Sequence, residues 1–293
     1  MSRIPLFDSH AHLVSDDRRR YPRRPGNEAA EPFGAEQLVA EMDAAGVSRA
    51  LVVQRSQYYG FDNSLVCDAG AAFPDRLSAV CSIDPAAPDP DEQVRFWICE
   101  RRAVGVRLME TERGGDLSWL AGEGAEAVWR AARDLEIPLC LHFFRWNRSP
   151  GLEQAARLLR RYPGLRVVID HFTNIAAESG APDFGMDALF RALAELPNVY
   201  MKFTTIPLGA MEAAGVESAP LIRRVADVFG AERLMWGSDI TQSKGDYAAM
   251  TELARRAAAA LSAEEQQAAL LDTVWTVYGP AIRAHGGRRL ASG

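Results

Sequence analysis

Ile4-Pro5-Leu6-Phe7-Asp8-Ser9-His10-Ala11-His12 reads as a short apolar strand that runs out into an Asp-x-His-x-His sequence. Side chains on a strand alternate between its two faces, so His10 and His12 project from the same one. Two neutral imidazoles held side by side suit a divalent metal. The fold follows from asking what kind of chain could bring further ligands and an acid–base group to this pair.

Outward from that stretch, short apolar runs alternate with helical patterns to the end of the chain. Strands are expected at Ile4–Asp8, Arg49–Val53, Leu77–Ile83, Val104–Met109, Ile137–Leu141, Leu165–Ile169, Asn198–Phe203 and Arg233–Trp236. Between them the spacing predicts helices at Ala35–Ala45, Asn63–Phe73, Pro90–Arg101, Glu123–Leu135, Gly151–Arg161, Met186–Leu196 and Ala219–Phe229. Two more follow, near Asp246–Ala260 and Ala263–Tyr278. Gly46 is a natural helix stop and Pro90 a natural first helical residue. The segment from Leu13 to Gly34, rich in Arg and Pro, reads as a long loop. The strands are continuous apolar runs, as parallel strands covered by helices should be. Eight strand–helix units fit a (β/α)8 TIM barrel. An open doubly wound sheet would want a glycine-rich turn after the first strand, where Ser9-His10-Ala11-His12 stands instead. No linker or compositional break divides the chain, so one domain over residues 1–293 is expected.

The composition excludes several function classes. With 48% hydrophobic and 25% charged residues, the 293-residue chain is that of a globular protein, and its net charge of −6 argues against a nucleic-acid partner. No apolar run is long enough to span a membrane, and no secretory leader is visible, so a cytoplasmic location is expected. Cys67, Cys81, Cys99 and Cys140 are scattered without a C-x-x-C pair and read as buried thiols in a reducing compartment.

Chemistry concentrates at the strand ends. His10 and His12 close the first strand, His142 the fifth, His171 the sixth, in Val168-Ile169-Asp170-His171, and Asp239 follows the eighth, in Trp236-Gly237-Ser238-Asp239. In a barrel all these ends lie on the face where active sites are built. A lone histidine is more often a hydrogen-bonded structural residue, which is the reading given to His285; four histidines and an acid at like positions are a stronger pattern. A divalent metal held by imidazoles and a carboxylate keeps positions open for water or a carbonyl oxygen. Asp239 is placed to act as general base, and His171 to hydrogen-bond a developing oxyanion.

These strand-end residues resemble the amidohydrolase superfamily over nearly the whole chain, from Asp8 to about Tyr278. More narrowly, Gln54-x-Ser56, Tyr59-Gly60-x-Asp62-Asn63, Gly105-Val106-Arg107 and Trp236-Gly237-Ser238-Asp239 are similar to the branch of sugar lactonases and 2-pyrone-4,6-dicarboxylate lactonase, with related decarboxylases further off. The resemblance implies that His10, His12, His142 and Asp239 bind a zinc-like metal, that Asp239 is the base, and that His171 assists. Ile240-Thr241 stands where an aromatic residue and proline are usual in the branch.

Although the chain is acidic overall, the segments after the strands are basic. Arginine grips carboxylates in a two-pronged geometry, and a positive cleft concentrates anions. Arg107, at a strand end, is the leading candidate for a carboxylate binder, with Arg113 and Arg145 behind it; a tyrosine of the set Tyr21, Tyr58 and Tyr59, or Trp146, could wall the site. The expected activity is metal-dependent opening of a lactone, one bearing a carboxylate, with a small anionic substrate as the only partner indicated and self-association left open. The alternatives are a non-oxidative decarboxylase of an aromatic or muconate-type acid on the same residues, a metal-free lactonase, and an anion-binding barrel without activity.

Overall fold

In the computed structural model, which describes residues 4–286, eight parallel strands pair in sequence order. They are β1 (Leu6–Ala11), β2 (Val47–Val53), β3 (Leu77–Ser82), β4 (Gly105–Met109), β5 (Leu139–His142), β6 (Val167–Ile169), β7 (Val199–Thr204) and β8 (Leu234–Gly237). Helices cover each strand on the outside, and the strands are buried almost throughout, which explains why their sequences are continuously apolar. The architecture is the TIM barrel expected from the sequence. The expectation of one domain over residues 1–293 reaches past the described residues at both ends.

The seam between β8 and β1 is closed by the strand ends. The Asp239 N–H donates to the His10 carbonyl at 2.6 Å, and the Ser238 N–H donates to Oδ1 of Asp8 at 2.9 Å. Oδ1 of Asp8 also takes the His10 N–H, and its Oδ2 takes the Tyr247 hydroxyl. Asp8 is therefore a structural clamp, wholly buried and fully bonded. Gly237 is required here: a Cβ on it would stand 2.5 Å from the Cβ of His10.

Most helices form where the pattern places them. Ala35–Ala45 ends at Gly46, whose φ of 71° is the left-handed cap conformation. Pro90 opens its helix, whose last turn over Phe96–Glu100 widens to π geometry. The predicted helix over 263–278 is broken by a π turn at Ala268–Asp272 before resuming as Thr273–Ala281. Among the described residues the longest helix not expected is Thr205–Ala213, directly after β7, where the β-branched run Thr204-Thr205-Ile206 masks the start; Ser56–Tyr59 and Ser118–Ala121 are single-turn additions. No described helix is long and apolar enough to cross a membrane.

Candidate active site

Strand alternation carries the site. Arg107 of β4 sits in register with Cys140 of β5, and Met109 with His142, so these side chains form successive layers inside the barrel. His10 and His12 leave β1 on the same inward face, and Lys202 enters from β7. The C-terminal strand ends surround a cavity of about 130 Å³, lined by His12, His142, His171 and Asp239 together with Arg55 and Arg107. A larger groove of about 770 Å³ lies beyond Met109, but it is rimmed by Asp84, Glu110, Glu112, Asp116 and Glu123 and contains no histidine. The two arginines make the first the better place for an anion, and the carboxylate rim disfavours one in the second.

Nε2 of His10 and Nε2 of His12 are 3.2 Å apart and lie 3.6 Å and 3.4 Å from Oδ1 of Asp239. Nδ1 of His12 is held by the Val53 carbonyl at 2.7 Å, which puts the ring proton there and leaves the Nε2 lone pair facing inward. Oδ1 of Asp239 is buried and has no hydrogen-bond partner, while its Oδ2 takes the Ser243 hydroxyl at 2.8 Å. Three atoms of metal-ligand type, the two Nε2 nitrogens and the unpartnered Oδ1 of Asp239, converge here and fit a divalent cation. His142 stands further out, its ring 5.1 Å from that of His171, and both its nitrogens lack partners. Buried against the Phe144 ring at 4.4 Å, it lies outside the tight cluster.

The electrostatics agree with that use. Burial, the largest influence, pushes His10 and His142 well below the usual imidazole range, and His171 below it as well. These rings are neutral and can ligate. Burial would raise the Asp239 carboxyl, but the His12 contact and the neighbouring His171 and His10 outweigh it and hold it below the ordinary carboxylate value. Asp239 is a fixed negative charge at the cavity floor.

Two of the candidate residues sit on strained backbone. Asp239 has φ of 57°, and His171, Phe172, Thr173 and Asn174 form a run of left-handed residues with φ between 49° and 57°. For residues with a Cβ this costs roughly 1–2 kcal/mol each. The run turns the chain sharply out of β6 and aims His171 and Asn174 at the cavity. Nδ1 of His171 is fixed by Oγ1 of Thr204 at 2.6 Å. Such strain persists where the surroundings over-determine it.

The arginines divide. Arg107 is buried and lines the cavity, with Nη2 on Asp170 at 2.9 Å. Arg113 is exposed and lies over the Trp146 ring, and Arg145 is exposed and paired with Glu178 at 2.7 Å. Neither lines the cavity, and nearer partners hold both side chains. Arg55 takes their place. It is buried against the Tyr58 ring at 3.7 Å and donates to Thr241 and Gln242 of the segment after β8. The cavity wall is Phe144, backed by Trp146 stacked on it at 4.2 Å; Tyr21 and Tyr59 are engaged elsewhere, with Asp68 and the Ser15 N–H. His285 does not line the cavity.

Sequence reasoning assigned no site role to Asp170 or Lys202. Asp170 lies beneath the cluster, 3.3 Å from Nδ1 of His10 and 3.3 Å from Nζ of Lys202. Burial alone would raise its carboxyl, but Lys202, His10 and Arg107 together hold it well below the usual range. The signal was available. Lys202 is the one charge in an otherwise apolar strand, and Asp170 precedes a strand-end histidine.

Comparison with known proteins agrees with the barrel. The chain is 28% identical over 255 residues to the L-fucono-1,5-lactonase of Burkholderia ambifaria, covering 83% of this chain and 84% of that one. It superposes on an amidohydrolase of Burkholderia multivorans with bound zinc at a TM-score of 0.71 and 21% identity, over 94% of this chain and 99% of the other. It also superposes on a probable 2-pyrone-4,6-dicarboxylic acid hydrolase of Acinetobacter baumannii with citric acid bound, at 0.69 and 20%, over 94% and 99%. These two likenesses carry the barrel. The amidohydrolase family model matches residues 7–279, from β1 through the last barrel helix, and the chain belongs to the amidohydrolase family.

Proposed function

We propose that the protein is a metal-dependent lactonase that opens a small lactone bearing a carboxylate. The observation that carries the reading is the meeting of His10 Nε2, His12 Nε2 and the unpartnered Oδ1 of Asp239 at the floor of a cavity flanked by two buried arginines. The likeness to a lactonase over most of both chains supports the choice of an ester bond.

His10, His12 and Asp239 would hold the metal, with His142 turning in as a further ligand; nitrogen and oxygen donors of this kind suit zinc. When bound, the metal lowers the pKa of a water towards neutrality and polarises the ring carbonyl. Asp239 accepts the proton of the attacking water and returns it to the ring oxygen as the carbon–oxygen bond breaks. With the Thr204 hydroxyl donating to Nδ1, His171 keeps its proton on Nε2 and presents it to the carbonyl oxygen as negative charge develops there. The substrate carboxylate is taken by Arg107, whose Nε is buried without a partner, with Arg55 also lining the cavity. Phe144 packs against the ring. The proposal includes a cytoplasmic location, where the four free thiols, three buried and Cys99 exposed against the expectation that all are buried, would stay reduced.

The test is metal analysis of the purified protein, with turnover measured before and after chelation on three panels: neutral aldonolactones, carboxylated lactones and aromatic acids. Acid release from carboxylated lactones, lost on chelation and restored by zinc, is expected. Release of carbon dioxide from the aromatic acids instead would make the protein a decarboxylase on the same residues. Activity unaffected by complete metal removal would replace this mechanism with a metal-free one.

A further inference from the structure

Beneath the histidine cluster three charged side chains from three strands are buried together: Arg107 of β4, Asp170 at the end of β6, and Lys202 of β7. An ionic group so placed adds little stability over an apolar core of equal volume, so its retention points to another role. The two oxygens of Asp170 have different partners. Oδ2 is 2.9 Å from Nη2 of Arg107, an ion pair without hydrogen-bond geometry. Oδ1 is 3.3 Å from Nδ1 of His10, 3.3 Å from Nζ of Lys202, and accepts the Cys140 thiol at 3.1 Å.

His10 therefore has two rival neighbours on the side away from the cavity, because Nζ of Lys202 is 3.2 Å from the same Nδ1. A neutral imidazole carries one N–H. If Lys202 donates to Nδ1, the ring proton lies on Nε2 and the face turned towards His12 and Asp239 is blocked. If Nδ1–H donates to Asp170, the Nε2 lone pair faces the cluster. An ammonium has donors only and a carboxylate acceptors only, so Asp170, 3.3 Å from both groups, can decide the contest in two ways: by accepting from Nδ1, and by drawing the ammonium away from its 3.2 Å approach to that nitrogen.

We propose that Asp170 is a positioning residue that holds His10 in the Nδ1–H tautomer, and that it does so partly by keeping Lys202 off that nitrogen. The inference rests on the metal-site reading of His10. It has a consequence that a merely structural carboxylate would not share. In Asp170→Asn the lysine is released to donate to Nδ1 and His10 is lost as a ligand; removing the lysine as well gives the ligand back.

The experiment measures zinc affinity of chelator-stripped wild-type, Asp170→Asn, Lys202→Met and doubly substituted protein by competition with a chromophoric chelator. Asp170→Asn is expected to weaken zinc binding by roughly 10- to 100-fold. Lys202→Met alone stays within about threefold of wild type, and the double variant binds about tenfold tighter than Asp170→Asn. In the zinc-free wild type, nitrogen-15 correlation spectra should place the His10 proton on Nδ1, a measurement that needs neither metal nor a variant to fold. Wild-type affinity in Asp170→Asn, a double variant that binds more weakly than Asp170→Asn, or a His10 proton on Nε2 would each overturn the proposal. Failure of the wild-type protein itself to bind zinc would instead remove the metal-site reading on which it stands.

Discussion

Nε2 of His12 and Oδ1 of Asp239 face each other across 3.4 Å, although one residue leaves the first strand and the other the last. The seam that closes the barrel brings them together. The Asp239 N–H is bonded to the His10 carbonyl, and Asp8 bonds the backbone of both His10 and Ser238. Closing the fold and assembling the site are thus one event.

A substitution at the seam should damage both. In Gly237→Ala the new Cβ would meet Cβ of His10 at 2.5 Å, and backbone on both sides prevents either from yielding. A loss of about 1–3 kcal/mol of stability is expected, as for other overpacked positions, together with weaker metal binding. Thermal melting and metal titration of the variant check this. A variant that melts early but binds metal as wild type would separate the seam from the site.

Asp239→Asn keeps the shape of the side chain and removes the charge and the proton acceptor. Turnover should fall by roughly 10²–10⁴-fold with the circular dichroism spectrum unchanged. Near-normal hydrolysis in this variant would exclude Asp239 as the base.

The arginines give a graded prediction. Arg107→Met breaks an ion pair with a buried carboxylate that keeps Lys202 as a second partner, so the stability loss should sit near or below the low end of the usual range, about 2–3 kcal/mol. KM for a carboxylated lactone should rise at least about tenfold, while a neutral lactone is affected less. Arg113→Ala and Arg145→Ala, on exposed side chains with surface partners, should change stability by no more than about 0.5 kcal/mol. Their KM values should stay within about twofold of wild type. An unchanged KM in Arg107→Met would move the carboxylate site to Arg55, and a raised KM in Arg145→Ala would show that its loop folds inward when substrate binds.

The barrel was legible because parallel strands buried on both faces must be apolar throughout, and eight such runs spaced by helices leave few topologies. His10, His12, His142, His171 and Asp239 followed from the map, since strand ends share one face of a barrel whatever their separation in the chain. The arginines were harder. A loop residue's direction depends on partners such as Glu178 for Arg145 and Thr241 and Gln242 for Arg55, which no local pattern encodes. Only Arg107, whose direction is set by strand alternation, could be aimed from sequence. The left-handed run from His171 to Asn174 was invisible for a related reason: it contains no glycine to announce it, and contacts from outside the run hold it in place.

Arg148 is one of those contacts, and it ties the catalytic turn to a titrating group. Its Nε donates to Oγ1 of Thr173 at 2.9 Å, and both terminal nitrogens donate to the Asp187 carboxylate. The Arg148 hydrogen bond is the main reason the Asp187 carboxyl lies below its ordinary value of 3.8, against partial burial and with help from the Phe190 N–H. A carboxyl whose pKa is lower in the folded than in the unfolded chain stabilises the fold above its unfolded pKa, and that stabilisation is lost as pH falls through the folded value. The difference in urea midpoint between wild type and Asp187→Asn should therefore be constant above about pH 5, shrink below pH 4, and vanish in stronger acid. Because the Asp187 side chain is 44% exposed, screening should keep the difference under about 1 kcal/mol. Arg148→Met should also free the Thr173 turn and let His171 drift, lowering kcat about tenfold with metal content unchanged. If kcat holds in Arg148→Met, the bond from Asn174 to the Phe143 carbonyl is enough to keep the turn, and the double substitution with Asn174→Ala should then produce the loss.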